Sequence, residues 1–273
     1  MTKSPYFAAP FERGFGTWPL RGETLTAAVR AALDAGYRAF DTAQMYGNEE
    51  DLGRALAACG ADSKELLVTT KIHPDNVAAD RLIPSLRESL RRLGLSQAGV
   101  VLLHWPPAGD VGPAVRALEE AVRLGLACAI GVSNFTCPMM RAARAAIATP
   151  LVANQVEFHP LIDQSKLLAS AAQTGIPLVA FCSLARGAVG RDPLLVELGE
   201  DYRRTPSQIA LRWILQKGVA VNTMSTKADN IRANFDVMNF TLSSVDMARI
   251  DGLGATALRV VDKHAVPWAP EWD

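Results

Sequence analysis

The feature that most constrains this chain is a count: eight short, apolar, β-like runs, each followed by a longer stretch of helical periodicity. The runs are Gly14–Trp18, Arg38–Asp41, Leu66–Lys71, Gly99–His104, Ala127–Val132, Leu151–Gln155, Pro177–Phe181 and Val219–Thr223. Strands separated by helices cannot pair through tight hairpins, so they join in parallel through βαβ crossovers. Eight such units in 273 residues, close to the usual ~250, predict a closed (β/α)8 TIM barrel forming one domain over residues 1–273. An open doubly wound sheet is the competing architecture. It would need a glycine-rich turn after an early strand, and Gly14-Phe15-Gly16 continues as Thr17-Trp18-Pro19 with no third glycine.

The helical segments carry their own signals. Leu82, Leu86, Leu90 and Leu93 recur at steps of four, four and three, with Arg81, Arg87, Glu88, Arg91 and Arg92 on the other side. Pro84 lies inside that pattern and is expected near the helix start, because a proline further in removes a hydrogen bond. Thr24–Ala35 stops at Gly36, a C-cap, and Thr205-Pro206 reads as an N-cap with proline at the first helical position.

Composition excludes several classes of function. Lys plus Arg and Asp plus Glu number 28 each, which leaves no net field for nucleic acid or an acidic membrane surface. No apolar run approaches the ~18 residues of a membrane span, and the N-terminal MTKSPYFAAPFERGFG carries charges where a secretory segment needs apolar residues. Cys59, Cys128, Cys137 and Cys182 form no CxxC pair, and His73, His104, His159 and His264 form no HxH or HxxxH pair. The expectation is a cytoplasmic protein with free thiols and no metal, a monomer in the absence of heptads, acting on a small molecule.

Barrel enzymes carry their chemistry where strands end, because the βα loops meet there around the mouth. Asp41 ends the second run, Lys71 the third and His104 the fourth, and Tyr46 follows Asp41 by one loop. Each alone has a structural reading: a helix cap, a rim lysine, a core histidine, a packed phenol. Their clustering at three successive strand ends points instead to proton donation to a carbonyl. A phenol titrates near 10, about three units above an efficient general acid at neutrality, a gap of roughly 4 kcal/mol. One ammonium about 4 Å away supplies that much at an effective dielectric near 20. Lys71 is therefore expected to acidify Tyr46, Asp41 to hold the charge on Lys71, and His104 to orient the substrate oxygen. The same lysine leaves a second chemistry open, a Schiff-base aldolase with Lys71 as nucleophile. A barrel that binds a cofactor without catalysis is a third reading.

The segments GYRAFDTAQMYGNE, VTTKI, LLHWP, GVSNF and NQVEFHP, in this order, resemble the aldo-keto reductase family, and the likeness runs from GFGTW to the C-terminus. The tail APEWD and the stretch STKADNI are similar to its bacterial 2,5-diketogluconate reductase B branch. The resemblance implies reversible carbonyl reduction with a nicotinamide cofactor, NADPH with NADH as the weaker alternative, and a tetrad of Asp41, Tyr46, Lys71 and His104. It places Gly16, Thr17 and Trp18 beside the cofactor and the carboxamide against Ser133, Asn134 and Gln155, whose hydroxyl and amides can serve both ends of a primary amide. Phe181 takes the position where the family stacks a tyrosine on the nicotinamide. Cys182 and Ser183 also depart from the family pattern, and with Leu184 to Gly187 they are expected to reach the pyrophosphate through backbone groups.

At the adenosine end the resemblance aligns Met224, Ser225, Asn230, Ile231 and Asn234 with the family's phosphate-binding pattern, with Thr226 and Lys227 expected to bind the cofactor beside them. Met224 and Asn230 stand where cations are expected, and Asp229 adds a negative charge, so a modest preference for NADPH carried by Lys227 is the expectation. Trp18, His73, Trp105 and Trp268, with Trp272, are the candidate pocket wall. His73 stands where many relatives carry tryptophan, and the short connection from His104 to a helix starting near Pro113 leaves the mouth open. Dicarbonyls, keto-sugars, aromatic aldehydes and polycyclic keto compounds are the candidate substrates.

Overall fold

The protein is described from a computed structural model covering residues 4–264 and 266–273. Strands β1 (Arg13–Gly16), β2 (Ala39–Asp41), β3 (Leu67–Ile72), β4 (Ala98–Leu103), β5 (Ala127–Ser133), β6 (Leu151–Glu157), β7 (Leu178–Phe181) and β8 (Ala220–Thr223) close in chain order into a parallel barrel. The ring is sealed by β1, which pairs with both β2 and β8. The expected runs coincide with these strands, and no boundary moves by more than two residues.

Outside the barrel lie α1 (Gly22–Ala35), α2 (Glu49–Ala58), α3 (Ala79–Leu93), α4 (Gly112–Arg123), α5 (Cys137–Ala146), α6 (Ser165–Thr174), α7 (Pro193–Tyr202), α8 (Pro206–Gln216), α9 (Ala228–Phe235) and α10 (Ser244–Asp251). Helix α1 ends at Gly36 with φ 106°, and a Cβ there would lie 2.7 Å from the Phe235 ring, so both backbone angle and space require glycine. Thr205 caps α8 in a full capping box with Gln208. Pro84 corrects the sequence reading, because α3 starts at Ala79 and carries the proline in its interior. The ring sits on the exposed face, so the carbonyl it leaves without a helical partner can be hydrated, while Leu82, Leu86, Leu90 and Leu93 stay buried on the other side.

Alternation along the strands explains where the polar residues point. Leu67 packs inside the barrel and Val68 outside it; one step on, Tyr6 meets the inward Thr69 in a 2.6 Å hydroxyl contact and Thr70 bonds Glu49 of α2. Lys71 is therefore the next inward residue. Ala39 and Val100 with Leu102 fix the same phase in β2 and β4, which aims Asp41 and His104 inward. The apolar layer of Ala39, Leu67, Val100, Leu102, Ala153 and Val179 fills the barrel below them. Each fully buried Val or Leu in it contributes about 1.5–3 kcal/mol.

Candidate active site

Three β-strand ends and one turn build the centre. Lys71, fully buried, donates to Asp41 Oδ1, to the Thr42 carbonyl at 3.0 Å and to Tyr46 Oη at 3.1 Å, so all three ammonium protons are used. Asp41 is also occupied on its second oxygen, where Gln155 Nε2 donates at 2.7 Å across the barrel. Tyr46 sits in a short 3-10 turn, Gln44–Tyr46, and its ring meets the His104 ring edge to face at 5.5 Å. His104 in turn stacks beside Trp105.

The charges of this cluster are set by competition. Burial pushes the Tyr46 phenol above its ordinary value; Lys71 pulls it down, and Asp41 and Cys182 push it up again. The net direction is upward, which corrects the expectation that Lys71 alone leaves Tyr46 acidified at rest. For Lys71, burial works against the charge, but Asp41 and Tyr46 outweigh it and the ammonium titrates above its ordinary value. His104 is held well below the ordinary histidine value by burial, with Lys71 and His73 adding to the effect, so its imidazole is neutral. Its Nδ1 has no partner among the described residues.

The model of the aldo/keto reductase family matches residues 13–255. This chain belongs to that family. It is thereby an oxidoreductase acting on carbonyl groups. It is 38% identical to methylglyoxal reductase DkgB of Escherichia coli O157:H7 over 264 residues, 95% of this chain and 98% of that one. Among solved structures it resembles a putative 2,5-diketo-D-gluconic acid reductase B, with TM-score 0.90 and 36% identity over 96% of this chain and 93% of the other. A Bombyx mori aldo-keto reductase in complex with NADP matches with TM-score 0.84 and 31% identity over 94% of both chains. The likeness to the 2,5-diketogluconate reductase B branch read from the sequence agrees with these matches.

In this reductase the residues expected beside a cofactor divide into two groups. Ser133, Asn134 and Gln155 are buried at the ends of β5 and β6 and already bonded to one another or to the tetrad: Ser133 Oγ donates to the Gln155 carbonyl at 2.8 Å and Asn134 Nδ2 to the His104 carbonyl at 3.0 Å. Asn134 Oδ1 is buried without a partner among the described residues, an open acceptor of the kind an amide N–H can bond, and Asn134 holds φ 63°. Thr17 is fully buried and its hydroxyl donates to the Asp41 carbonyl, so its side chain serves the framework; Gly16 ends β1, and Trp18 is 51% exposed at the rim. Phe181 ends β7, Ser183 bonds the Asn222 carbonyl, and Leu184 lies half-buried beside exposed Gly187. Positive φ at Cys182, Ala185 and Arg186 concentrates backbone strain in this loop, and burial, with Glu157 adding, lifts the Cys182 thiol to about 11.

The second group is exposed. Met224, Thr226 and Lys227 face solvent between β8 and α9, Asn230 does so from the first turn of α9, Ser225 is half-buried with its hydroxyl on the Lys227 N–H, and Asn234 alone of these is buried. Asp229 is ion-paired with Arg232, so its charge is neutralised locally, and Arg232 supplies a cation that the sequence reading did not consider.

The wall residues also separate. Trp105 is buried against Trp272, 6.4 Å between rings, while Trp268 is 39% exposed and meets the His73 ring at 5.4 Å. Missing from the sequence reading was Glu157, wholly buried at the end of β6. Its carboxylate accepts the Val260 and Val261 N–H groups at 2.8 and 3.0 Å and meets His159 Nε2 at 2.9 Å, fastening the C-terminal segment to the barrel. The available signal was a glutamate inside an otherwise apolar and amide run, NQVEF. Among the described residues no group of three or more His, Cys, Asp or Glu is placed to hold a metal, and no helix is long and apolar enough to cross a membrane.

Proposed function

We propose that this reductase uses NADPH, and NADH less well, to reduce small dicarbonyl or keto-sugar substrates, with Tyr46 as proton donor. The observation that carries the reading is the Lys71 N–H donated to Tyr46 Oη. That bond occupies a lone pair of the phenol and leaves its O–H free to point at a substrate oxygen. Burial keeps the proton on Tyr46 at rest. As negative charge develops on the substrate oxygen, the proton moves across, and the ammonium at 3.1 Å stabilises the phenolate by about 5 kcal/mol at an effective dielectric near 20. Asp41 keeps Lys71 charged throughout, and neutral His104 is a hydrogen-bond partner for the same oxygen without competing for the proton.

A nicotinamide cofactor, when bound, would supply the hydride. Asn134 Oδ1, Ser133 and Gln155 fit its carboxamide, Phe181 its ring, and the loop from Cys182 to Gly187 its pyrophosphate; Lys227 with Ser225 would meet a 2′-phosphate. The names of the relatives favour α-dicarbonyls and keto-sugars among the candidate substrates. An aldolase role for Lys71 is opposed by its three committed protons and raised pKa, since a Schiff base needs a free lone pair.

The test follows absorbance at the nicotinamide band with both reduced cofactors over a panel of dicarbonyls, keto-sugars and aromatic aldehydes. Wild type should turn over, and Tyr46→Phe should lose about 10²-fold or more in kcat while binding cofactor as before. Activity of the variant within a few-fold of wild type would sink the assignment.

A further inference from the structure

On the β3 side, the turn that carries Tyr46 is tied to the rest of the site by the Gln44 amide. Gln44 Oε1 accepts the His73 N–H at 2.8 Å and Asn76 Nδ2 at 3.0 Å, and Gln44 Nε2 donates to Ser85 Oγ at 3.1 Å and Ser89 Oγ at 3.0 Å. These four bonds use the whole hydrogen-bonding capacity of a glutamine side chain. They reach the connection after β3, which starts two residues beyond Lys71, and two successive turns of α3. On the far side, Asn48 bonds the Thr17 and Leu20 carbonyls, and exposed Arg21 bonds the Tyr46 and Gly47 carbonyls at 2.8 Å. Between these anchors Met45 packs on the Trp105 cluster and Tyr46 enters the barrel.

We infer that Gln44 is a positioning residue for proton transfer: its amide locks the Tyr46 turn to the end of β3 and so sets the Tyr46 Oη to Lys71 Nζ contact, while holding His73, the polar part of the substrate wall, in the same frame. The Arg21 bonds are solvent-exposed and worth little individually, so the four half-buried bonds of Gln44 dominate on the β3 side. Loss of the amide frees the turn to drift by fractions of an ångström, and a proton donor misplaced by about 1 Å can lose 10²-fold in rate. This inference rests on Tyr46 being the proton donor.

The experiment compares wild type, Gln44→Met, Gln44→Glu, the double variant Ser85→Ala with Ser89→Ala, and Tyr46→Phe, with kcat expressed per cofactor-titrated site. Gln44→Met keeps the volume and removes every bond; kcat per site should fall about 10- to 100-fold, with cofactor Kd within about twofold. Its alkaline limb should move upward, because Tyr46 is then farther from Lys71 while Asp41 and Cys182, the other groups that act on it, remain; His104, neutral, adds no charge. Gln44→Glu still accepts from His73 and Asn76, and the Ser89 hydroxyl can turn to donate while Ser85 Oγ stays committed to the Leu82 carbonyl, so it should recover part of kcat. The serine double variant should lose less than Gln44→Met, and it keeps the test alive if Gln44→Met folds poorly. A Gln44→Met rate per site within twofold of wild type with an unmoved pH limb would overturn the inference, as would full activity in the serine double variant when Gln44→Met does not fold. Retained activity in Tyr46→Phe would instead remove the proton-donor reading itself.

Discussion

The corner formed by the ends of β2, β3 and β4 and the corner between β7 and α9 lie at the same end of the barrel but are built on opposite principles. In the first, Lys71 is fully buried, Asp41 is 5% and His104 7% exposed, and the ammonium and carboxylate have their bonds assigned within the protein. In the second, Met224 is 38% exposed, the Asp229 side chain 92%, and Lys227 stands in solvent. Buried charges in low dielectric act strongly and tolerate little change; exposed ones are screened and each is worth a fraction of that. Met224 and Asn230, which stand where the resemblance leads one to expect cations, fall in the exposed corner, whereas Asp41, Tyr46, Lys71 and His104 are brought together in the buried one.

The sharpest way to break this contrast is Lys71→Met. In the buried corner it should cost about 10²-fold or more in kcat, with the alkaline limb of reduction displaced upward, because the group that lowers the Tyr46 pKa is gone. A pH profile unchanged in a still active variant would show that Lys71 does not tune Tyr46. In the exposed corner, Lys227→Ala should act only on cofactor choice, erasing most of an NADPH preference of about 10-fold in kcat/KM, roughly 1.4 kcal/mol. Comparison of both cofactors measures it, and a wild-type preference above roughly 10³-fold, or one insensitive to Lys227, would mean that the phosphate is held elsewhere. Arg232, paired with Asp229, is then the first residue to examine.

Glu157 sits between the two regimes, a buried anchor for an otherwise exposed tail. Replacing it by Gln keeps the shape but removes the charge that meets two backbone N–H groups and, at 3.9 Å, Arg259. Stability should fall by about 1–3 kcal/mol, and the substrate KM should rise several-fold as Trp272 loosens from Trp105, with kcat less affected. Thermal melting and steady-state kinetics read the two effects, and an unchanged KM would mean that the tail does not shape the pocket.

The smallest effect concerns His104. Its folded-state pKa lies below the ordinary 6.5, so below that pH the unfolded chain binds a proton that the folded chain refuses. Stability should therefore fall as pH falls through this window, by at most about 1.4 kcal/mol per pH unit from this group, and His104→Gln should flatten that share of the slope. Denaturant melts of both proteins between neutral and mildly acidic pH would show equal slopes if His104 were not buried neutral.

Local pattern was enough to read the barrel and to place Asp41, Lys71 and His104 at the ends of its strands. Alternation along a strand has a period of two and helical burial one near 3.6, so eight strands and the inward phase of Asp41, Lys71 and His104 are written in short windows of sequence. Tertiary structure alone decided the quantities that depend on distant partners. Gln155 reaches Asp41 across 114 positions, Glu157 holds Val260 and Val261 from more than 100 positions away, and Gln44 meets Ser85 and Ser89 from another element. The direction of the Tyr46 shift belongs to the same class. Its attraction to Lys71 could be anticipated from residue types, but the opposing cost of burial depends on how tightly the surrounding chain closes over the phenol, and only the packed barrel determines that.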